Sequence, residues 1–199
     1  MFSVDMYETE WENFDSKSAL DIIMPYFTSH RNDNEFYAAD GSPLIVRTEN
    51  HDLQYQSEFK IIVEFIEKHV REYWKMLGYT KKIDPYIINM WANEIPPGGF
   101  TPSHHHSPVP IAGVLYLDAD PTQGNLYMED PLWPIKTLTP RDYTVIPLMS
   151  LLELEAKTGK MYLFPGWIQH HTKTNRSQEN RYVIAFTAGA HLDFKPKPY

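Results

Sequence analysis

The chain has 199 residues, a formal net charge of −8 and no cysteine. This length suffices for one domain with a sizeable core, and 42% hydrophobic with 14% aromatic residues exclude a disordered chain. Because the chain has no cysteine, it can form neither disulfides nor thiolate metal ligands. The acidic charge argues against nucleic acid as the main partner, because phosphate binding relies on clustered lysine and arginine.

No apolar run reaches the roughly 20 residues that cross a bilayer. No secretory signal is visible in the first residues either, since a basic segment followed by an apolar one is missing there. We therefore expect a soluble, cytoplasmic protein without a membrane partner. The sequence does not indicate an oligomeric state.

The first third of the chain carries the helical pattern. Apolar residues at helical spacing after Asp15 predict a first helix, with Asp15 or Ser16 as N-cap and Pro25 limiting its far end. Turn residues before Leu44–Thr48 predict a short strand there.

A longer helix is predicted from Ser57 to Leu77, with Ser57 as its cap and Gly78 as its stop. Its continuous apolar face predicts packing on a sheet, and His69 falls on the solvent side. The apolar face consists of Phe59, Ile62, Val63, Ile66, Val70, Tyr73 and Leu77.

From Asp84 onward, short β-type runs alternate with proline, glycine, asparagine and aspartate, which predicts a mainly β sandwich or barrel. Residues 132–158 are less regular and are typical of an insertion, a loop over a site or two edge strands. We predict a single domain over 1–199, in which a helical part (1–83) packs on a β core (84–199). The predicted strands are Tyr86–Asn93, Ile111–Leu117, Asn125–Met128, Tyr143–Ile146, Lys160–Phe164 and Arg181–Thr187.

Five of the nine histidines form two tight clusters, at 104–106 and 170–171. Side chains two residues apart on an extended segment share a face, so His104 and His106 reach one ion while His105 points away. His170 follows a strand and a Pro-Gly turn and is the expected third ligand, with His171 as a possible substitute.

Arg181 opens the last predicted strand, eleven residues after His170. Alternation places it on the same face as Val183 and Ala185, which is unusual for a solvated arginine and typical of one that binds an anion. Together with the histidine clusters, it indicates a metal site beside an anion site.

In these residues the chain resembles the 2-oxoglutarate/Fe(II)-dependent oxygenases, in particular a little-characterised branch of the superfamily that includes prolyl hydroxylases. The resemblance spans about half of the chain. It rests on Trp91-Ala92-Asn93, Pro97-Gly98-Gly99, His104 and His106, Gly113 to Leu117, Gly124 with Asp130-Pro131, Phe164 to Trp167, His170, and Arg181 with Phe186.

The resemblance implies a double-stranded β-helix (jelly-roll, cupin-like) core with N-terminal helices. It implies that His104 and His170 hold Fe(II), that Arg181 pairs with the distal carboxylate of 2-oxoglutarate, and that Asn93 and Tyr116 contact this co-substrate. The implied reaction hydroxylates a C–H bond with release of succinate and carbon dioxide, and ascorbate is expected to stimulate it.

One position departs from the better-known members, which carry an H-x-D/E motif and a distant histidine. Here His106 takes the place of the carboxylate, so three neutral imidazoles form the predicted ligand set. That set also suits Zn(II), Mn(II), Ni(II) or Cu(II). A carboxylate from elsewhere, Glu129 or Asp130, is an alternative third ligand.

Two alternatives remain open from the sequence. The spacing around the histidines also echoes cupin-like dioxygenases with three-histidine iron sites, which need no 2-oxoglutarate clamp. A non-catalytic module with a structural metal is the other.

We expect the substrate to be either a peptide, for example one with a peptidyl proline, or a small molecule. The acidic charge of the chain favours a neutral or cationic substrate. Core or rim positions are expected for Trp91, Trp133 and Trp167.

Overall fold

The computed structural model describes residues 4–27, 37–80, 82–133 and 151–190. No helix in these ranges is both long and apolar enough to cross a membrane. Two α-helices lie there, α1 (Ser16–Ile23) and α2 (Lys60–Met76). The strands are β1 (Tyr7–Glu10), β2 (Val46–Arg47), β3 (Tyr86–Ile95), β4 (Ile111–Asp118), β5 (Leu126–Glu129), β6 (Leu151–Leu154), β7 (Lys160–Pro165), β8 (His170–Thr172) and β9 (Arg181–Gly189).

The strands form a six-stranded sheet in the order β1-β7-β4-β9-β3-β2 and a three-stranded sheet in the order β6-β5-β8, with antiparallel pairing throughout. Alternation along β4 shows how the larger sheet serves two cores. Ile111 and Leu115 pack in one core with the helices, whereas Ala112 and Tyr116 pack in a second core with residues of the smaller sheet.

The helices follow the predicted pattern with one shift. Asp15 caps α1, since its side chain accepts from the Ser18 amide at 3.1 Å. The predicted start at Ser57 is three residues early, because 57–59 form a 3-10 turn and α2 begins at Lys60 without a side-chain cap. The helix ends as predicted before Gly78, which has a φ of +75°.

The placement of His69 on the solvent side was wrong. His69 is buried, and its Nδ1 lies 2.9 Å from the Tyr7 hydroxyl and 3.1 Å from Glu72 Oε2. Strand β1, which was not predicted, covers this side of α2. Helical periodicity cannot reveal a covering strand that lies about 60 residues away in sequence.

Most predicted strands appear within two residues of their expected ends, although the one at Leu44–Thr48 is reduced to β2. The predicted strand Tyr143–Ile146 lies outside the described residues. Besides β1, the short strand β8, which carries the second histidine cluster, was not predicted. Strand β6 is an edge strand within 132–158, where edge strands were one of the three alternatives.

Candidate metal centre and its cavities

The structure brings His104, His106 and His170 together. His104 and His170 exchange two backbone hydrogen bonds, of 3.0 and 2.9 Å, and the His106 amide donates to the Gly166 carbonyl at 2.7 Å. These bonds hold 104–106 as an extended segment beside β8. Alternation then turns His105 outward, where it is exposed.

One potential ligand atom from each of the three histidines lies within 4.8 Å of the others. The Nδ1 of His104 lies 2.8 Å from the Pro102 carbonyl oxygen, and that of His170 lies 2.9 Å from the Ile168 carbonyl oxygen. A carbonyl only accepts, so each Nδ1 carries the proton and leaves the Nε2 lone pair for a metal.

Burial keeps these imidazoles neutral. Desolvation is the main cause that lowers the pKa of His106 to about 4 and that of His170 to about 3. The pKa of His104 is lowered for the same reason. Neutral imidazole is the form that binds a metal, so the donor set is ready at neutral pH.

No carboxylate joins this cluster within the described ranges. Glu129 instead accepts a hydrogen bond from Ser103 and lies 2.9 Å from His171 Nδ1. Asp130 accepts from the Leu132 amide at 2.9 Å. His171 stacks on Tyr127 at 5.6 Å, which turns it away from the three-histidine cluster.

Arg181 lines a small inner cavity of about 60 Å³ together with the three histidines. It is 1% exposed. One terminal nitrogen donates to the Gln123 and Gly124 carbonyls and the other to Thr172 Oγ1 at 3.0 Å. Its Nε–H has no acceptor among the described residues. The guanidinium is therefore held in a fixed orientation with a donor remaining for a ligand.

The inner cavity also contains the other two predicted co-substrate contacts. Asn93 and Tyr116 are buried and line it together with Trp91. The Asn93 Oδ1 and the Trp91 Nε1 have no hydrogen-bond partner within the described part of the chain. Trp133 and Trp167, by contrast, lie at the surface.

A larger outer cleft of about 470 Å³ adjoins this cavity. The two spaces share five lining residues, which are Arg47, Trp91, Thr101, His104 and His106. His104 and His106 thus lie at the boundary between the two spaces, whereas His170 lines only the inner cavity.

No sequence pattern led us to predict a site role for Arg47, His51 or Thr172. A charged residue inside an otherwise apolar predicted strand was an available signal for Arg47. Thr172 gave no signal, because its bond to Arg181 depends on the pairing of β8.

The family model described as "Putative 2OG-Fe(II) oxygenase" matches residues 89–187, a range that contains all six predicted site residues. The chain belongs to this oxygenase family. The resemblance noted in the sequence is thereby confirmed. No curated protein matches the sequence.

Solved structures similar to this oxygenase share its fold. The epimerase SnoN of nogalamycin biosynthesis, described as non-heme and alpha ketoglutarate dependent, has a TM-score of 0.66 at 10% identity, over 94% of this chain and 78% of SnoN. HygX from Streptomyces hygroscopicus, solved with nickel and 2-oxoglutarate, has a TM-score of 0.60 at 13% identity, over 94% of this chain and 83% of HygX. The likeness confirms the double-stranded β-helix fold.

Proposed function

We propose that this oxygenase uses Fe(II) and 2-oxoglutarate to hydroxylate a C–H bond of a small-molecule or peptide substrate, with release of succinate and carbon dioxide. The observation that carries the proposal is the joint position of the three histidines and Arg181, which line one inner cavity. A structure of HygX contains a metal and 2-oxoglutarate on the same fold.

The residues present fit a divalent metal. His104, His106 and His170 offer three neutral nitrogens, and two of the rings are oriented by backbone carbonyls. Fe(II) with 2-oxoglutarate would supply the oxidation of the C–H bond, and the protein's part is to orient both substrates. Because no carboxylate of the described residues belongs to the cluster, the negative charge at the centre would come from the co-substrate.

The inner cavity fits a small diacid. Arg181 would bind the distal carboxylate, since a buried guanidinium with a remaining donor favours an anionic ligand. Thr172 and the two carbonyls hold it in place. Asn93 and Tyr116 would complete the contacts with the co-substrate.

The test is calorimetry with 2-oxoglutarate on Mn(II)-loaded protein. We expect Arg181→Ala to weaken binding by about 2–5 kcal/mol, as is typical when one partner of a buried charge pair is removed. Arg181→Lys should recover only part, because an ammonium lacks the planar fork. Arg71→Ala, a surface arginine paired with Glu67, serves as the matched control.

The second candidate is a cupin-like three-histidine dioxygenase, which the absence of a carboxylate from the described cluster favours. It needs no 2-oxoglutarate. If the wild-type protein does not bind 2-oxoglutarate, or if folded Arg181→Ala binds it as tightly as the wild type does, this candidate replaces the proposal. Formation of succinate with Fe(II), oxygen and ascorbate would argue for 2-oxoglutarate consumption, and omission of ascorbate should slow it.

A further inference from the structure

A carboxylate links the two chain segments that carry the three histidines. Glu129, at the end of β5, accepts a hydrogen bond from the Ser103 hydroxyl and lies 2.9 Å from His171 Nδ1. A carboxylate only accepts, so both partners donate to it. Ser103 directly precedes His104, and His171 directly follows His170. One side chain therefore contacts the neighbours of two candidate ligands.

Gln169 closes these contacts into a ring. Its side-chain amide donates to Ser103 Oγ at 3.0 Å, and its carbonyl accepts from the Glu129 amide at 2.8 Å. Ser103, Glu129 and Gln169 thus each contact the other two. The stacking of His171 on Tyr127, with an interplanar angle of 11°, orients the fourth member. We call Ser103, Glu129, Gln169 and His171 the Glu129 cluster.

The Glu129 cluster holds the residues that follow the two orienting carbonyls. The imidazoles of two candidate ligands donate through Nδ1 to the carbonyls of Pro102 and Ile168. Ser103 directly follows the first of these residues, and Gln169 follows the second. Because a peptide group is planar, the direction of each carbonyl changes with the backbone of the residue after it. The cluster therefore acts on the groups that orient the rings.

The backbone pairing of the histidines leaves one of these carbonyls outside it. His104 and His170 bond to each other through their own amide and carbonyl groups. The Pro102 carbonyl belongs to the peptide group between 102 and 103, which is not part of this pair. The hydrogen bonds of Ser103 to Glu129 and Gln169 restrain the residue at the end of that peptide group.

We propose that Glu129 is a positioning residue of the metal centre. It joins the segments of His104 and His170 and keeps the Pro102 carbonyl in the direction that turns the His104 Nε2 towards the metal. The carboxylate thus acts on the centre without being a ligand. This inference rests on the metal site of the proposed function and is independent of 2-oxoglutarate.

The first test is the Mn(II) affinity of folded protein, measured by competition with a chelator. We expect Glu129→Ala to weaken binding by about tenfold, the low end for contacts outside the ligand set, because the carboxylate contacts the neighbours of the ligands and its side chain is 34% exposed. Glu153→Ala removes an exposed glutamate from the adjacent strand β6 and should change nothing. Wild-type affinity in folded Glu129→Ala overturns the proposal.

The second test separates positioning from mere stabilisation of the fold. The absorption bands of bound Co(II) depend on the geometry of its ligands. At metal saturation they should shift in Glu129→Ala and stay unchanged in Ile66→Ala, which removes core contacts of α2. Wild-type bands in Glu129→Ala would assign the residue to folding alone and exclude the positioning role.

Two further variants test the route through Ser103. Glu129→Gln keeps an acceptor oxygen for the Ser103 hydroxyl, so it should retain more Mn(II) affinity than Glu129→Ala. The double variant Ser103→Ala/Glu129→Ala should lose much less affinity than the product of the two single losses, because both substitutions remove the same contact. Fully multiplicative losses would show that Glu129 does not act through Ser103 and contradict the proposal.

Calorimetry with 2-oxoglutarate separates this proposal from the proposed function. If the wild-type protein binds Mn(II) in a manner that depends on Glu129 but does not bind 2-oxoglutarate, the positioning role stands and the proposed function fails. If the wild-type protein binds both and Glu129→Ala binds Mn(II) equally well, the proposed function stands and the positioning role fails.

Discussion

The backbone orients the imidazoles of His104 and His170 before any metal binds. Their Nδ1–H groups donate to carbonyls two residues earlier in the chain, at Pro102 and Ile168. The same local bond at both positions places each Nε2 towards the centre. Such outer contacts typically change metal affinity by 10- to 100-fold, so the segments around the candidate ligands are part of the candidate site.

Single substitutions of the histidines test this arrangement. We expect His104→Ala, His106→Ala and His170→Ala each to weaken divalent metal binding by more than about 100-fold, since loss of a ligand exceeds loss of an outer contact. His105→Ala, which removes an exposed ring from the same segment, should have no effect. Metal content after dialysis against Mn(II) gives the measurement, and normal content in His106→Ala would point to a ligand elsewhere.

The sequence predicts the histidine cluster because alternation and order along the chain suffice for it. It does not predict the setting of Arg181, whose terminal nitrogen donates to carbonyls 57 and 58 residues earlier. Nor does it predict the position of Arg47, or that the Trp91 indole N–H lacks a partner among the described residues. These properties depend on which strands become neighbours.

Helix α2 stabilises the larger sheet from the side opposite the cavities. Ile66 is fully buried in the core shared with that sheet, whereas Ile61 on the same helix is 69% exposed. None of the residues of α2 lines the inner cavity or the outer cleft. The helix therefore contributes to folding and not to ligand contact.

This division predicts separate effects on stability and binding. Ile66→Ala should lower the free energy of unfolding by about 2–5 kcal/mol through lost burial and a remaining cavity. Ile61→Ala, the same substitution at the exposed site, should change it by less than about 0.5 kcal/mol. Urea unfolding gives both values. Metal affinity of folded Ile66→Ala should equal that of wild type, and a loss would show that α2 acts on the site.

At the level of elements, long amphipathic segments were predictable and short polar ones were not. The larger sheet contains the strands β3, β4, β7 and β9, which are recognisable in the sequence because they are rich in apolar residues. Strand β8 has three residues, His170 to Thr172, and β1 alternates with glutamates, so neither carries a distinct β pattern. Both acquire their structure from the neighbour with which they pair.

The whole molecule should lose stability in acid before its carboxylates titrate. The folded state holds His106 and His170 with pKa values near 4 and 3, while unfolded histidine titrates near 6.5. Between these values the unfolded chain binds more protons, so stability falls as pH falls from about 6.5 to about 4. At about 1.4 kcal/mol per pKa unit, the loss amounts to several kcal/mol.

Urea unfolding of the metal-free protein in a chelator, at pH 7.5 and pH 5.0, measures this loss. His170→Gln, which cannot take up a proton, should show a smaller difference between the two pH values, and His105→Gln should behave as wild type. Equal stability of the wild-type protein at both pH values would mean that the three rings are hydrated in the folded state.

Both edges of the larger sheet come from the first third of the chain. Strand β1, with four residues, covers one side of β7, and β2, with two residues, lies beside β3 at the other end. Without β1, the apolar strand β7 would present unpaired amide and carbonyl groups to other molecules, the arrangement from which edge-to-edge aggregation starts. We therefore expect the segment before α1 to protect the protein against self-association, and a shortened chain that kept every residue of the candidate site would lack this protection.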